Sequence, residues 1–274
     1  MSMLTRRERP RTTRVVAASP GATVTGIRPT PSAPDGMEPM PASSSDNRDV
    51  WVIVPTYNEA SVVREVLTGL LRYFPNVVAV DDGSTDSSGV EAFAAGARVV
   101  RHTINMGMGA AIQTGLDFAL LDRGARYFVT FDADGQHRPS DASAMVGRLR
   151  GADHDILVGS RFLGGTTGVG GGRIVLLRAA RIFDRLITRV RLTDAHNGLR
   201  AFSREFAQQI NLRFADMAHA SELLGQIADS HLAYAEHPVT IDYTDYSRAK
   251  GQRSINSVNI AVDVLFNHVL RGRC

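Results

Sequence analysis

Cysteine is almost absent from this sequence, whose 274 residues contain only one, Cys274, at the last position. A single cysteine excludes an intramolecular disulfide framework and fits a reducing compartment. Long apolar runs are absent too, because no stretch approaches the ~20 residues that a membrane-spanning helix needs. The N-terminal region also lacks the apolar core of a secretory signal. Together these absences predict a cytoplasmic protein.

Excess charge of either sign is scarce beyond the N-terminal region. The formal net charge is +3, and the basic excess lies in the first 30 residues, which contain six arginines against Glu8 alone. The remainder is close to balanced, which argues against a general nucleic-acid-binding face. No Gly-Lys-Ser/Thr sequence occurs, so a P-loop is excluded, and the stretch 105–112 lacks the third glycine of a dinucleotide-binding fingerprint.

Composition divides the chain into three segments. Residues 1–48 hold seven of the eleven prolines among Ser, Thr, Ala and Arg. Such a segment cannot bury enough apolar surface to offset its ordering entropy. We therefore expect a disordered tail over 1–48, a folded domain over 49–256 and an amphipathic helix over 257–274. That helix either packs on the domain or lies at a membrane surface.

Apolar strands alternate with amphipathic helices through the folded part. Strands are predicted at 50–55, 77–80, 98–101, 127–131 and 155–158, with a further strand-like stretch at 239–243. This alternation with short loops implies an α/β fold with a mainly parallel sheet flanked by helices. Each of the first five strands is followed by a polar or glycine-rich cluster. Because ligands bind at the carboxyl ends of such strands, we expect one site at this edge.

Two segments after the fifth strand carry less specific signals. Residues 164–172 contain six glycines, which predicts either a lid that orders on ligand binding or a plain connector. The helix predicted at 173–190 combines apolar residues with five arginines. It therefore presents either a solvated basic face or a surface for anionic lipid.

A pair of aspartates ends the strand predicted at 127–131. Asp132 and Asp134 are two residues apart, and residues i and i+2 of an extended chain point to the same side, so both can converge on one ion. Two hard carboxylates at the carboxyl end of an α/β strand suit Mg²⁺ or Mn²⁺ carrying a diphosphate. On its own the pair also fits a polar turn, so its interpretation depends on the other loops.

Six loop motifs occur in a distinctive order. They are Val54-Pro55-Thr56-Tyr57-Asn58-Glu59, Val80-Asp81-Asp82-Gly83-Ser84-Thr85-Asp86, Asn105-x-Gly-x-Gly109, Asp132-Ala133-Asp134-Gly135-Gln136-His137, Gly159-Ser160-Arg161 and Asn197-Gly198-Leu199-Arg200. In combination they resemble the family-2 inverting glycosyltransferases, which have the nucleotide-diphospho-sugar transferase (GT-A) fold on a Rossmann-like sheet. The subgroup they resemble is the dolichol- or polyprenyl-phosphate mannosyl- and glucosyltransferases. The resemblance covers about residues 50–256.

The resemblance implies which residues bind the donor, a nucleotide-diphospho-sugar. Asp132 and Asp134 would hold Mg²⁺ or Mn²⁺ across the donor diphosphate, where the ion acts as a Lewis acid for the leaving group. His137 is interpreted as a hydrogen-bonding loop residue, because hard cations prefer oxygen ligands. The other implied donor residues are Pro55, Tyr57, Glu59, Asp81 or Asp82, Asn105, Gly109, Ala133 and Gln136.

The resemblance also implies a lipid-phosphate acceptor. A phosphate oxygen is already anionic, so transfer needs cationic groups to hold it rather than a strong base. Arg161 and Arg200 match family positions that hold the acceptor phosphate. Further candidates for this role are Arg248, Lys250 and Arg253. Many relatives carry membrane helices that this sequence lacks. We therefore expect a peripheral protein at the inner face of the membrane, attached through an amphipathic helix or a small membrane-protein partner.

Two alternatives stay open. A saccharide hydroxyl as acceptor would require a base, for which Glu222 and Asp194 are the candidates. Glu222 shares a helical face with His219, and a structural helix pair explains that spacing as well. A catalytically silent nucleotide-sugar-binding module could use the same fold, although the intact pair of Asp132 and Asp134 argues against it.

Overall fold

The computed structural model describes residues 22–25, 47–163, 166–167, 190, 192–195, 197–214, 218–243 and 246. Three predicted features lie outside these residues: the glycine-rich stretch apart from 166–167, the basic helix apart from Val190, and the helix at 257–274. The acceptor candidates Arg248, Lys250 and Arg253 also lie outside them. These features therefore stay predictions.

Ten strands and six helices occur among the described residues. The strands are β1 (Ala22–Thr25), β2 (Val50–Thr56), β3 (Asn76–Asp81), β4 (Arg98–His102), β5 (Tyr127–Thr130), β6 (Ile156–Ser160), β7 (Thr166–Thr167), β8 (Arg200–Ser203), β9 (Tyr234–Pro238) and β10 (Ile241–Asp242). The helices are α1 (Val63–Leu71), α2 (Ser88–Ala94), α3 (Met108–Leu120), α4 (Pro139–Arg150), α5 (Arg204–Ala207) and α6 (Ala218–Asp229). None of these described helices combines the length and apolarity needed to cross a membrane.

Eight of the described strands form one sheet, in the order β1-β4-β3-β2-β5-β8-β6-β9, while β10 pairs with β7. Strands β4, β3, β2 and β5 run parallel to one another, as do β6 and β9. Strand β8 runs antiparallel between β5 and β6. The predicted mainly parallel α/β sheet is therefore confirmed. The sequence did not predict β8 or β9, and the strand predicted at 239–243 is reduced to β10.

One segment of the predicted tail forms a strand. Ala22–Thr25 is β1, which pairs antiparallel with β4, from Ala22 opposite His102 to Thr25 opposite Val99. Three of its four residues are β-branched, which favours a strand, and the pairing covers the edge of β4. The prediction of a tail without structure does not hold for these four residues.

The sheet is buried on both faces, as the continuous apolar run of β2 indicates. Alternate residues of β2 belong to different apolar clusters. Val52 clusters with Leu67 of α1, and Ile53 clusters with Leu116 of α3. All four side chains are fully buried. Helices α1, α2 and α4 therefore pack on one face of the sheet, and α3, α5 and α6 pack on the other.

The topology brings most of the motif loops to one edge of the sheet. Strands β2, β3, β5 and β6 end there, and β8 begins there because it runs in the opposite direction. In the register, Arg200 lies between Thr130 of β5 and Val158 of β6. The loop before β8 therefore lies between the loop that carries Asp132 and the one that carries Arg161.

Candidate active site

The loops after β2 and β3 are fastened to each other. Asn58 has a φ of 53°, a left-handed conformation that Asn tolerates, and its Oδ1 accepts a hydrogen bond from the backbone N–H of Thr85 at 2.9 Å. The backbone N–H of Glu59 donates to Ser88 Oγ at 2.7 Å. These bonds hold the loop against the start of α2 and leave Tyr57 exposed.

Glu59 is buried, and its side chain bonds to a residue distant in sequence. Its Oε2 accepts a hydrogen bond from the Tyr246 hydroxyl at 2.6 Å. Burial, together with the hydrogen bond and negative charge of Glu59, raises the pKa of Tyr246 to about 12. Tyr246 therefore stays protonated and donates its hydroxyl hydrogen to Glu59, which the motifs predict to bind the nucleotide sugar.

Asp82 organises the loop that precedes α3. It is buried, and its carboxylate accepts hydrogen bonds from the backbone N–H groups of Met106 and Gly107, both at 2.8 Å. Its Oδ1 also lies 2.7 Å from Nδ1 of His102. Three partners on one carboxylate leave it little capacity to accept from a nucleotide.

Asp81 has more acceptor capacity than Asp82. Its Oδ1 accepts a hydrogen bond from the backbone N–H of Ser84 at 2.9 Å. Its Oδ2 is buried, accepts no hydrogen bond within the described part of the chain, and lies 3.4 Å from Arg101 Nε. Both aspartates are buried, so which of them binds the nucleotide stays a prediction.

Asn105 and Gly109 shape the turn into α3. Oδ1 of Asn105 accepts a hydrogen bond at 3.1 Å from the N–H of Gly107, whose φ of 92° requires glycine. A Cβ at Gly109 would lie 2.2 Å from the carbonyl oxygen of Phe214 and 2.8 Å from Cβ of His219. Gly109 therefore allows α3 to approach α6, while a contact of either residue with the donor stays a prediction.

Asp132 is a carboxylate that lies among positive charges. Its side chain is 30% exposed, and its Oδ2 lies 3.2 Å from Nε2 of the buried His137. Burial acts to raise the pKa of Asp132. The His137 hydrogen bond and the charges of His137, Arg200 and His219 outweigh burial and hold the pKa below its ordinary value. His137 is thus a hydrogen-bonding loop residue, as predicted.

Asp134 has the opposite electrostatic environment. Its Oδ1 accepts a hydrogen bond from the backbone N–H of Gln136 at 3.1 Å. Burial and the negative charge of Asp132 raise its pKa to about 6. A bound cation would relieve this repulsion. Two carboxylates would leave most of the coordination shell of Mg²⁺ or Mn²⁺ to diphosphate oxygens and water, so the residues present fit such an ion.

This pKa predicts how the stability of the metal-free protein changes with pH. The folded-state pKa of Asp134 is above its unfolded value, so its contribution favours folding at low pH and is lost as the pH rises through about 6. The loss begins above the unfolded pKa of about 3.9, so we expect the stability advantage of Asp134→Asn over the wild type to grow by about 2 kcal/mol between pH 4 and pH 7.5. Denaturant unfolding in EDTA at both pH values measures this, and a stability difference that is the same at both would contradict it.

The loop before β8 packs directly against Asp132. A Cβ at Gly198 would lie 2.0 Å from Oδ2 of Asp132, and the Gly198 carbonyl accepts a hydrogen bond from Thr130 Oγ1 at 2.8 Å. On the other side, Asn197 Nδ2 donates to Asp194 Oδ2 at 3.1 Å. This loop therefore positions Asp132 and Asp194 at once.

Arg161 is anchored by Asp194. Its Nε and its backbone N–H both donate to Asp194 Oδ2, at 2.6 and 3.1 Å, and its Nη1 donates to the Tyr243 hydroxyl at 3.3 Å. Burial acts to lower the pKa of Arg161, but the charge and hydrogen bond of Asp194 outweigh it and raise the pKa. The guanidinium is therefore charged and fixed in orientation.

Glu236 supports the pair of Arg161 and Asp194, a role that its sequence context did not predict. Its Oε1 accepts hydrogen bonds from the Thr193 N–H at 2.6 Å, the Thr193 hydroxyl at 2.8 Å and the Asp194 N–H at 3.0 Å. Glu236 lies on β9, which pairs with β6. Because Tyr234–Pro238 has no apolar strand pattern, the sequence carries no signal for this contact.

A pocket of about 110 Å³ lies beside Asp132 on the α3 side of the sheet, and we call it the Arg200 pocket. Arg200 is 2% exposed, and its Nη2 donates to the Ala195 carbonyl at 3.3 Å. Burial lowers the pKa of its guanidinium, although the charges of Asp132 and Asp194 act in the other direction. Arg200 thus lines this pocket, and Arg161 does not. The lining residues are Pro55, Met108, Ile112, Thr130, Asp132, Gly198, Arg200, His219 and Ala220.

Glu222 does not line the Arg200 pocket, although the sequence suggested it as a catalytic base. Its Oε2 accepts hydrogen bonds from the backbone N–H groups of Arg213 at 2.8 Å and Phe214 at 3.0 Å. The residue of this helical face that lines the pocket is His219. Glu222 therefore fastens the loop before α6, and its catalytic role stays a prediction.

Substitutions at Glu222 separate these roles. Glu222→Gln keeps an acceptor oxygen, so we expect kcat within about threefold of the wild type, whereas a general base contributes about 10²–10⁴-fold. Glu222→Ala leaves two N–H groups without their acceptor and should lower the free energy of unfolding by about 1–2 kcal/mol. Steady-state kinetics and thermal unfolding test both, and a 100-fold loss of kcat in Glu222→Gln would support the catalytic role.

Comparison with known proteins agrees with this architecture. The profile of Glycosyl transferase family 2 matches residues 51–210. A polyprenol monophosphomannose synthase of Mycolicibacterium smegmatis is 28% identical, over 85% of this chain and 91% of its own length. A UDP-N-acetylglucosamine–dolichyl-phosphate N-acetylglucosaminyltransferase of Methanococcus voltae is 29% identical, over 74% and 89%.

Among solved structures, glucosyl-3-phosphoglycerate synthase from Mycobacterium tuberculosis, in complex with Mn²⁺, UDP-glucose and phosphoglyceric acid, has a TM-score of 0.58 to this chain. The two are 21% identical, and the match covers 73% of each chain. The fold is therefore that of the GT-A glycosyltransferases, as the motifs predicted. With the family profile matching more than half of its residues, this chain belongs to glycosyl transferase family 2.

Proposed function

We propose that this glycosyltransferase moves a hexose from a nucleotide-diphospho-sugar to a polyprenyl phosphate, with inversion at the anomeric carbon and with a divalent metal ion. The observation that carries the proposal is the position of an anchored cation, Arg161, at the same sheet edge as the carboxylates of Asp132 and Asp134. Relatives named for polyprenol and dolichyl-phosphate substrates support the acceptor class.

The donor diphosphate would lie over Asp132 and Asp134, which would hold Mg²⁺ or Mn²⁺. When bound, the ion neutralises the negative charge that develops on the leaving nucleoside diphosphate. Crystals of the structurally related glucosyl-3-phosphoglycerate synthase contain UDP with Mn²⁺ or Mg²⁺, which supports a divalent ion here. Asp81 or Asp82 would accept from the nucleotide base or ribose, beside Pro55 and Tyr57.

The acceptor phosphate would bind Arg161. Asp194 fixes the guanidinium through Nε, and at least part of its five N–H donors is left for phosphate oxygens. The next two residues, Phe162 and Leu163, are apolar and exposed. A fixed cation followed directly by exposed apolar side chains suits a ligand whose phosphate is joined to an isoprenoid chain.

The proposed reaction is a single displacement. An oxygen of the acceptor phosphate attacks the anomeric carbon from the face opposite the diphosphate, and the bond from that carbon to the diphosphate oxygen breaks. The electron pair leaves with the nucleoside diphosphate. No proton has to be removed, because the attacking oxygen is already anionic. Arg161 would orient the phosphate, and Asp194 would act through Arg161.

The alternative of a saccharide hydroxyl needs a free base, and both candidates are already engaged in hydrogen bonds. Asp194→Asn tests this. If Asp194 positions Arg161, the variant should raise the KM for polyprenyl phosphate about tenfold and lower kcat by less, since the amide oxygen still accepts from Nε. If Asp194 is a general base, kcat should fall by about 10²–10⁴-fold with KM little changed. Steady-state kinetics with varied acceptor distinguishes the two.

The function itself is tested by transfer of radiolabelled sugar into an organic-extractable lipid. Purified protein would receive polyprenyl phosphate with GDP-mannose, UDP-glucose or UDP-N-acetylglucosamine, in Mn²⁺ or EDTA. EDTA-sensitive label in the lipid phase supports donor, acceptor and metal together. Label that appears in water-soluble glycan instead would replace the lipid acceptor with a saccharide. Absence of transfer and of nucleotide-sugar binding would overturn the proposal.

Because a polyprenyl phosphate stays in the bilayer, we also propose that the protein works peripherally at the inner face of the membrane. A small membrane-protein partner is one means of attachment, and the basic helix at 173–190 is another. Flotation with vesicles tests this membrane attachment. The protein should float with vesicles that contain anionic lipid and polyprenyl phosphate but not with neutral vesicles.

A further inference from the structure

The floor of the Arg200 pocket is deeply buried. Ile112, Thr130 and Arg200 are each 3% exposed or less, whereas Met108 is 40% exposed and Asp132 is partly exposed at its carboxylate. The pocket therefore opens near Asp132 and Met108 and ends at the sheet. Its volume of about 110 Å³ is too small for a nucleoside but admits one side of a hexose ring.

A buried cation with spare hydrogen-bonding capacity lies on this floor. The Nε of Arg200 is buried and donates to no acceptor in the described part of the chain, and its Nη2 makes a long bond of 3.3 Å to Ala195. A buried donor without an acceptor costs about 1–3 kcal/mol, and more when it is charged. The side chain of Arg200 lines the pocket with part of its hydrogen-bonding capacity unused, so a ligand oxygen there would meet a charged donor, and His219 adds a second polar group to the wall.

The shape of the pocket limits which ligand can supply that oxygen. A polyprenyl phosphate continues as a long chain, so its phosphate cannot end in a closed pocket whose mouth is occupied by the donor diphosphate. The donor hexose is bonded to the diphosphate through its anomeric carbon, which would lie near Asp132. The side of the ring away from that carbon carries hydroxyl oxygens. Met108, Ile112 and Ala220 offer apolar surface for the C–H face of such a ring.

We propose that the Arg200 pocket binds the far side of the donor hexose and that Arg200 donates to one of its oxygens, which makes this residue a determinant of sugar selectivity. This inference rests on the proposed function, and it moves Arg200 from the acceptor phosphate to the donor sugar. The nucleoside diphosphate lies outside the pocket, so substitutions in the pocket should affect the nucleotide sugar and spare the free nucleotide.

Calorimetric titration of the full chain in Mn²⁺ tests this with defined probes: UDP, UDP-glucose, GDP and GDP-mannose. Two variants change the pocket, Arg200→Lys by replacing the planar guanidinium with a single ammonium group and Ala220→Leu by filling space. We expect each to weaken binding of the preferred nucleotide sugar about tenfold or more and to leave its nucleoside diphosphate within about twofold. Gly225→Ala is the control on the same helix, because a Cβ there meets nothing within 4 Å.

Selectivity provides the second measurement. The ratio of kcat/KM between epimeric donors, UDP-glucose against UDP-galactose or GDP-mannose against GDP-glucose, should change at least about tenfold in Arg200→Lys. Equal weakening of sugar and free nucleotide, or a raised KM for polyprenyl phosphate with unchanged donor binding, would overturn the inference. If Arg200→Lys fails to fold, Ala220→Leu decides. If wild-type protein binds neither nucleotide sugars nor nucleotides, the proposed function fails instead.

Discussion

Asp134→Ala should abolish sugar transfer and leave the fold intact. We propose the carboxylates of Asp134 and Asp132 as the ligands of a divalent ion, which would neutralise the charge of the diphosphate leaving group. We expect kcat/KM to fall by at least about 10³-fold, because the loss of a hard ligand removes both metal affinity and stabilisation of the leaving group. The fold should persist, since Asp134 makes one described hydrogen bond, from Gln136.

The measurement is lipid-linked sugar formation over a range of Mn²⁺ concentrations, with thermal unfolding in parallel. Asp153→Ala is the matched control, because Asp153 is exposed in the loop before β6, at the opposite edge of the sheet. That variant should keep full activity. If Asp134→Ala retained activity within about tenfold of the wild type at saturating donor, the metal assignment would be wrong.

Gly198→Ala should be nearly as damaging, although glycine and alanine differ by one methyl group. A Cβ at residue 198 would lie 2.0 Å from Oδ2 of Asp132 and 2.4 Å from its Cγ, so either the loop or the carboxylate must move. The same loop bonds to Asp194 through Asn197. We expect transfer to fall by at least about 100-fold, because a displacement of about 1 Å at a reacting centre costs this much.

Gly225→Ala controls for the change from glycine to alanine itself. It lies in α6 with open space around its Cβ, and alanine should stabilise the helix by up to about 1 kcal/mol. Mn²⁺ affinity should fall in Gly198→Ala and stay constant in Gly225→Ala, which electron paramagnetic resonance of the free ion measures. Unchanged Mn²⁺ affinity and transfer in Gly198→Ala would show that the contact with Asp132 is unimportant.

The sequence predicted the parts of the fold that carry a strong local signal. The run Val50–Thr56 is apolar at nearly every position because β2 is buried on both faces, so it could be predicted as a strand. The convergence of Asp132 and Asp134 on one ion stays a prediction, because β5 ends at Thr130 and Asp134 lies in the turn that follows rather than in an extended strand. The family motifs then predicted the fold and the enzyme class, which the comparisons confirm.

The parts that the sequence did not predict depend on long-range contacts. Glu236 bonds to Thr193 and Asp194 only because β9 pairs with β6, and Tyr234–Pro238 does not have a strand pattern. Arg200 was predicted to hold the acceptor phosphate, but its burial could not be predicted, because β8 lies inside the sheet, where Asp132 and Asp194 offset the charge of Arg200.

The antiparallel direction of β8 limits how this enzyme can change during evolution. Side chains on a strand alternate between faces, so a slip of β8 by one residue along β5 and β6 would turn Arg200 to the other face and move Gly198 away from Asp132. The loops at the opposite edge, such as 151–155, carry no site residue and can lengthen freely. New substrate preferences in this lineage should therefore arise by substitution within 194–200, while insertions accumulate on the far side of the sheet.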